Sequence, residues 1–185
     1  AAFGTGADAG DGNREIPCFF AKFVRKNKVL GVIRLTKEFS FEMSHALEGY
    51  DGPCRQVHGH SYRFFVTVCG TPKHDPADPK NGMVMDFGEL KRIVNRTVTD
   101  RFDHAFVVRR TAENAELVEG IRAHFGKVEC VDYQPTCENM IALFADLIRA
   151  ELPAGVTLFS LKLHETATSY AEWYLSDNPQ AREIR

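Results

Sequence analysis

Apolar and polar positions alternate most cleanly over residues 58–70. His58, His60, Tyr62, Phe64, Val66 and Val68 fall on one side of an extended chain; Ser61, Arg63, Phe65, Thr67 and Cys69 fall on the other. Period-two alternation predicts a strand with two distinct faces. β-Branched and aromatic residues also predict extended chain over 18–24 and over 29–43, with a turn at Lys26-Asn27-Lys28 between them. Residues 1–16, dominated by Gly, Ala and Asp, predict a mobile tail.

Helical spacing follows the long strand. Residues 71–82 hold three prolines and several charges and predict a loop. Asp86 can cap a helix running to about residue 101, with Phe87, Leu90, Ile93, Val94 and Val98 on its apolar side. A shorter helical pattern covers 113–124, and 127–133 reads as a strand. Pro135 and Thr136 announce a second long helix to about residue 152, apolar at Ile141, Phe144, Ile148 and Leu152 and ended by Pro153 and Gly155. Residues 156–165 and 169–175 predict a closing pair of strands. No internal repeat interrupts this order, which describes an α+β domain with a largely antiparallel sheet. The expected division is an N-terminal extension over 1–28, one domain over 29–178 and a C-terminal tail over 179–185.

Composition narrows the class. In 185 residues, 44% are hydrophobic, enough for a real core. The formal net charge is −2, from 23 basic and 25 acidic residues, so bulk electrostatics predict neither a nucleic-acid nor a membrane partner. No run approaches the length of a membrane span. Five cysteines do not form a small disulfide scaffold, and the start lacks a secretory pattern, so the expected setting is cytoplasmic.

Three histidines offer metal chemistry. His58 and His60 share a strand face, and a hairpin-like return can bring His45 alongside. Three imidazoles with an open fourth position is the arrangement of a catalytic zinc. An H-x-H pair is also an ordinary half-buried strand feature, so spacing leaves both readings open. Cys54, four residues before His58, fits either a fourth ligand or an unligated thiolate base beside a cation. Cys18, Cys69, Cys130 and Cys137 read as packing residues. Asp103-His104 fits a proton-transfer pair, although a surface turn after a helix is the simpler reading. Glu165 ends a strand on the face of Leu161 and Leu163, unusual for an acid without a donor-rich partner. Glu138, in the first turn of the second long helix, suits the helix dipole.

The ordered set of these motifs is more specific than any one of them. Phe41-x3-His45, Cys54-x3-His58-Gly59-His60, Gly82-Met83-Val84-x-Asp86-Phe87-x2-Leu90-Lys91, Asp103-His104, Pro135-Thr136-x-Glu138-Asn139 and Glu165-Thr166 follow one another along the chain. Together they resemble the 6-pyruvoyltetrahydropterin synthase family, which includes the bacterial 6-carboxytetrahydropterin synthases of queuosine biosynthesis. The resemblance runs over about 35–175. The stretch Phe102-Asp103-His104-Ala105-Phe106-Val107 departs from it, since the family usually has Leu before Asp-His and Leu-Asn soon after. The first 30 or so residues have no counterpart in it.

The resemblance implies a tunnelling fold: a four-stranded antiparallel sheet with two long helices on one face, three subunits closing a barrel, and two trimers forming a homo-hexamer. It implies zinc on His45, His58 and His60. It makes Cys54 a catalytic thiol and Asp103 with His104 a catalytic dyad delivered from a neighbouring subunit. Glu165, Glu138 and Thr136 become the substrate-binding residues, with Glu165 gripping the pterin edge. The implied activity is a lyase acting on 7,8-dihydroneopterin triphosphate, and the run from Glu165 to Glu172 favours the 6-carboxytetrahydropterin branch. The pyruvoyl branch is the alternative. A non-catalytic zinc-stabilised assembly domain, with Cys54 as fourth ligand, is the contrasting reading.

Overall fold

The structure, a computed structural model, describes residues 31–179. The strand expected at 18–24, the turn at 26–28, the extension over 1–28 and all but the first residue of the 179–185 tail lie outside the described residues.

Strands β1 (Ile33–His45) and β2 (His58–Gly70) form an antiparallel pair in register from Ile33↔Gly70 to His45↔His58. The strand expected at 58–70 is found with those bounds. Its alternation is visible in burial: Tyr62, Phe64, Val66 and Val68 are buried, while Ser61 and Arg63 are exposed. On β1 the odd positions Phe39, Phe41, Met43 and His45 point the same way. Strands β5 (Val156–His164) and β6 (Tyr170–Tyr174) continue the antiparallel sheet beyond β2. A bulge shifts the β2–β5 register between Thr67↔Ser160 and Val68↔Leu158. The extra residue lets Leu158, Leu161 and Leu163 all face inward.

The sheet is larger than the four antiparallel strands that the resemblance implied, and the strand expected at 127–133 is part of it. Its order is β4-β3-β1-β2-β5-β6. Beyond β1 it gains two short parallel strands, β3 (Ala105–Arg109) and β4 (Val128–Val131). β3 is five residues long and follows a helix almost directly, so no alternating run announces it. It touches β1 only at Met43, Ser44 and His45.

Two helical stretches cover the inner face. Helix α1 (Phe87–Val94) is capped by Asp86, whose carboxylate accepts from Gly88 N at 2.7 Å and Glu89 N at 3.1 Å. It runs on through a π-helical stretch (Asn95–Thr99) into α2 (Asp100–Phe102). In that stretch the Thr97 and Thr99 hydroxyls donate back to the Ile93 and Asn95 carbonyls. Helix α3 (Ala115–Phe125) packs beside β4, and α4 (Cys137–Arg149) beside β5 and β6. Phe144 of α4 is fully buried, its ring against Phe41, Phe64 and Phe102. Its truncation to Ala would cost about 3–5 kcal/mol, because the cavity cannot close from three sides. No helix among the described residues is long and apolar enough to cross a membrane.

Candidate active site

At one end of the inner face the side chains change from apolar to imidazole. The β1–β2 register sets His45 directly opposite His58, and His60 is two residues further along the same face. One ligand atom from each ring lies within 4.8 Å of the others. His45 is 2% exposed.

The backbone fixes the tautomers. His45 Nδ1 lies 2.7 Å from the carbonyl oxygen of Pro135, and His58 Nδ1 lies 2.8 Å from that of Gln56. A carbonyl only accepts, so each Nδ1 carries the hydrogen and donates it. Both Nε2 atoms then present bare lone pairs, and these two nitrogens are 3.2 Å apart. The Nε2 of His60 is buried without a hydrogen-bond partner among the described residues. Lone pairs of this kind repel one another unless a cation stands between them. Burial lowers the pKa of His45, an effect that the Pro135 carbonyl and Glu165 partly oppose; burial lowers that of His60 as well. Neutral imidazoles are the form that ligates metals. The donor set fits a divalent cation, with carbonyl partners orienting two of the three ligands from behind.

Glu165 follows the inward parity of Leu161 and Leu163 and reaches the triad. Its Oε1 is 3.7 Å from His45 Nε2 and 4.0 Å from His60 Nε2, and it accepts from the Tyr62 hydroxyl at 3.3 Å. Burial, reinforced by the Glu165 charge, raises the Tyr62 pKa far above its usual value, so the hydroxyl keeps its proton. Tyr62 is a site residue that the sequence reading missed. Its place on the His58–His60 face was visible, but its partner across β5 was not. Gln134 was missed as well: it donates to the Glu48 carbonyl, while its Oε1 is buried without a partner.

Thr136 caps α4 through Asn139 N, and Glu138 is exposed in the first turn. The cap anchors the same turn whose Pro135 carbonyl holds His45. Cys54 sits in a short 3-10 turn (Pro53–Arg55) just before β2, and its sulfur is not part of the triad cluster. Cys137 is an inert thiol by comparison. It donates to the Leu163 carbonyl at 3.4 Å, and burial pushes its pKa up to about 12.

Asp103 and His104 are not brought to this chain's own triad. Asp103 Oδ1 accepts from His104 Nδ1 at 2.9 Å and from the Glu42 backbone N–H at 2.9 Å. The second of these is the main cause of its lowered pKa. His104 N donates to the Glu42 carbonyl at 2.6 Å and has φ of 58°, the one positive value at a non-glycine among the described residues. Its side chain is 76% exposed. It borders an open cavity of about 350 Å3 lined by Glu42, Ser44, Gly59 and Ser61 and also by Met43, Ala105 and the triad residue His60.

A histidine triad with one buried and two half-buried rings thus stands on this sheet, with a carboxylate beside it and an imidazole–carboxylate pair at the edge, an arrangement that suits an enzyme of the tetrahydropterin synthase class. The chain belongs to the 6-pyruvoyl tetrahydropterin synthase family, whose profile it matches over residues 34–175. A 6-carboxy-5,6,7,8-tetrahydropterin synthase of Haemophilus influenzae is 32% identical over 143 residues, 77% of this chain and 99% of that protein. One of Synechocystis is 34% identical over 139 residues, 75% and 90% of the two. The fold is similar to that of Caenorhabditis elegans 6-pyruvoyl tetrahydropterin synthase, with a TM-score of 0.57 at 20% identity over 80% of this chain and 99% of that one. An uncharacterized protein from Wolinella succinogenes gives 0.64 at 20% identity over 77% and 98%.

Proposed function

We propose that the chain is a zinc-dependent carbon–carbon lyase. It converts 7,8-dihydroneopterin triphosphate and one water to 6-carboxy-5,6,7,8-tetrahydropterin, acetaldehyde and triphosphate. The observation that carries this reading is the convergence of three imidazoles, two with Nε2 turned inward by carbonyl-bound Nδ1–H groups. The choice of the carboxy branch is supported by the names of the curated relatives. A three-histidine donor set favours zinc. When bound, zinc supplies a Lewis acid for the oxygens of the substrate side chain.

The remaining roles belong to the protein. Cys54 takes the carbon-bound proton. Asp103 holds His104 through Nδ1 and leaves Nε2 for the opposite proton transfer. Glu165 accepts from the pterin ring N–H and exocyclic amine, with Tyr62 steadying the carboxylate from below. Glu138 and Thr136 border the pterin from α4.

The sheet edges support the reading of a site shared between subunits of a homo-hexamer. Glu42 turns its N–H and C=O away from β2, so Thr36, Glu38 and Ser40 do the same on an edge that β3 leaves open. Among the described residues, β6 pairs only with β5, and its other side has no partner. Antiparallel addition of one chain's β6 to the next chain's β1 closes both edges. It also carries the β5–β6 turn, with Glu165, to the end of β1 where Asp103 is tied to Glu42. The test is product analysis on the dihydropterin triphosphate. Acetaldehyde and a 6-carboxy product are expected, and a retained pyruvoyl side chain would move the protein to the other branch. Cys54→Ala should keep zinc and lose at least about 100-fold in turnover. Zinc loss in that variant would favour a structural site with Cys54 as ligand.

A further inference from the structure

A cavity of about 740 Å3 lies apart from the histidine site. It lies along the open edge of β1, under α1 and the π-helical stretch. Lys37, Lys91 and Lys127 line it with Asn95, Thr99 and Asp103. Lys37 is the anomaly. It occupies an inward position of β1, between Leu35 and Phe39, where the pattern calls for an apolar residue. Its Nζ stands 5.8 Å from the Phe39 ring centre. No carboxylate among the described residues lies within ion-pair distance of Lys37 or Lys91. Lys127 donates to the carbonyls of Asp100 (2.8 Å) and Asp103 (2.6 Å), which leaves one of its three N–H groups.

Three carboxylates also border the cavity, and two are already engaged. Glu38 pairs with Arg63 at 2.7 Å, and Asp103 is held by His104 and the Glu42 N–H. Asp100 alone faces three ammonium groups. The wall therefore has cationic capacity to spare, clustered over one strand and one helix. Compact ammonium groups on flexible stems suit the oxygens of a polyphosphate.

We propose that this cavity is a polyphosphate subsite, with Lys37, Lys91 and the free N–H of Lys127 holding the triphosphate of the substrate. The inference rests on the proposed function for the identity of that substrate. Asp103 is a wall of the cavity and also half of the dyad, so the triphosphate is held by the chain that supplies Asp103 and His104. The pterin is held by the neighbouring chain, which supplies the triad and Glu165. Each substrate then spans two subunits, pterin on one and phosphates on the other.

Calorimetry with inorganic tripolyphosphate tests the subsite without turnover. The native zinc-loaded protein should bind it, and the Lys37→Gln/Lys91→Gln variant should bind about tenfold or more weakly, with binding of a phosphate-free pterin unchanged. No binding by the native protein, or equal binding by the folded variant, overturns the proposal. A changed oligomeric state with unchanged tripolyphosphate affinity would make the lysines packing residues of the interface, and that too overturns it. Subunit mixing tests the placement. The double variant should regain activity with Cys54→Ala but not with His104→Ala, and the reverse pattern places the subsite on the wrong chain. If the product assay fails while tripolyphosphate binding behaves as expected, the subsite stands and the proposed reaction falls.

Discussion

His45, His58 and His60 stand on the inner face of two strands paired over thirteen residues. Asp103 and His104 hang from a junction between the end of α2 and a five-residue strand, with His104 at the outer face. The triad is placed by register: a one-residue slip of β2 would turn His58 and His60 away from His45, along with Tyr62 and Phe64 behind them. The dyad is placed by two backbone bonds to Glu42 and by a strained residue. One of the two groups is thus built into the sheet, and the other is pinned to its edge. The two groups differ in exposure accordingly: the His104 side chain is 76% exposed, whereas His45 is 2% exposed.

Breaking the triad should give the largest effect. His58→Ala or His60→Ala removes one of three ligands, and loss of most of the bound zinc and activity is expected by metal analysis. Full metal occupancy in both variants would remove the site from consideration. Glu165→Gln comes next. It keeps the size but loses the charge and turns one acceptor into a donor, so pterin binding measured by calorimetry should weaken more than about tenfold with zinc content unchanged.

The comparison is sharpest at His104. Replacing it with Gly relieves a left-handed backbone that costs a non-glycine residue about 1 kcal/mol. Denaturant unfolding should show His104→Gly more stable by about that amount while turnover is lost. A destabilised variant would mean that the side chain, not the backbone, ties this junction down. The smallest effect belongs to Tyr62→Phe. It removes one 3.3 Å bond to Glu165, and about 0.5–1.5 kcal/mol of pterin binding should go with it. The effect should vanish in a Glu165→Gln background; if it persists there, Tyr62 acts through something else.

Legibility followed the same divide. Residues 58–70 could be read because alternation, burial and a single long pairing agree along the whole strand. Glu165 could be read because it continued the inward parity of Leu161 and Leu163. The helix ends were nearly right, since Asp86 and Thr136 are strong caps. β3 escaped notice because it is short and takes its place from a parallel contact with β1, distant in sequence. The Asp103-His104 pair reads as a turn locally, and its link to Glu42 is visible only in three dimensions. The carbonyls of Gln56 and Pro135, which set the tautomers, carry no side-chain signature at all.

The uneven support of β1 has a kinetic consequence. Toward its end, β1 is flanked by β2 on one side and β3 on the other, but Thr36, Glu38 and Ser40 direct their amides to the open side. In an isolated subunit these three amides should trade hydrogen for deuterium rapidly, while their odd-numbered neighbours, bonded to β2, stay protected. Closing the edge with another chain would slow the fast set. A single strand therefore carries a built-in clock for assembly, with alternate residues reporting subunit release on dilution while the others report unfolding.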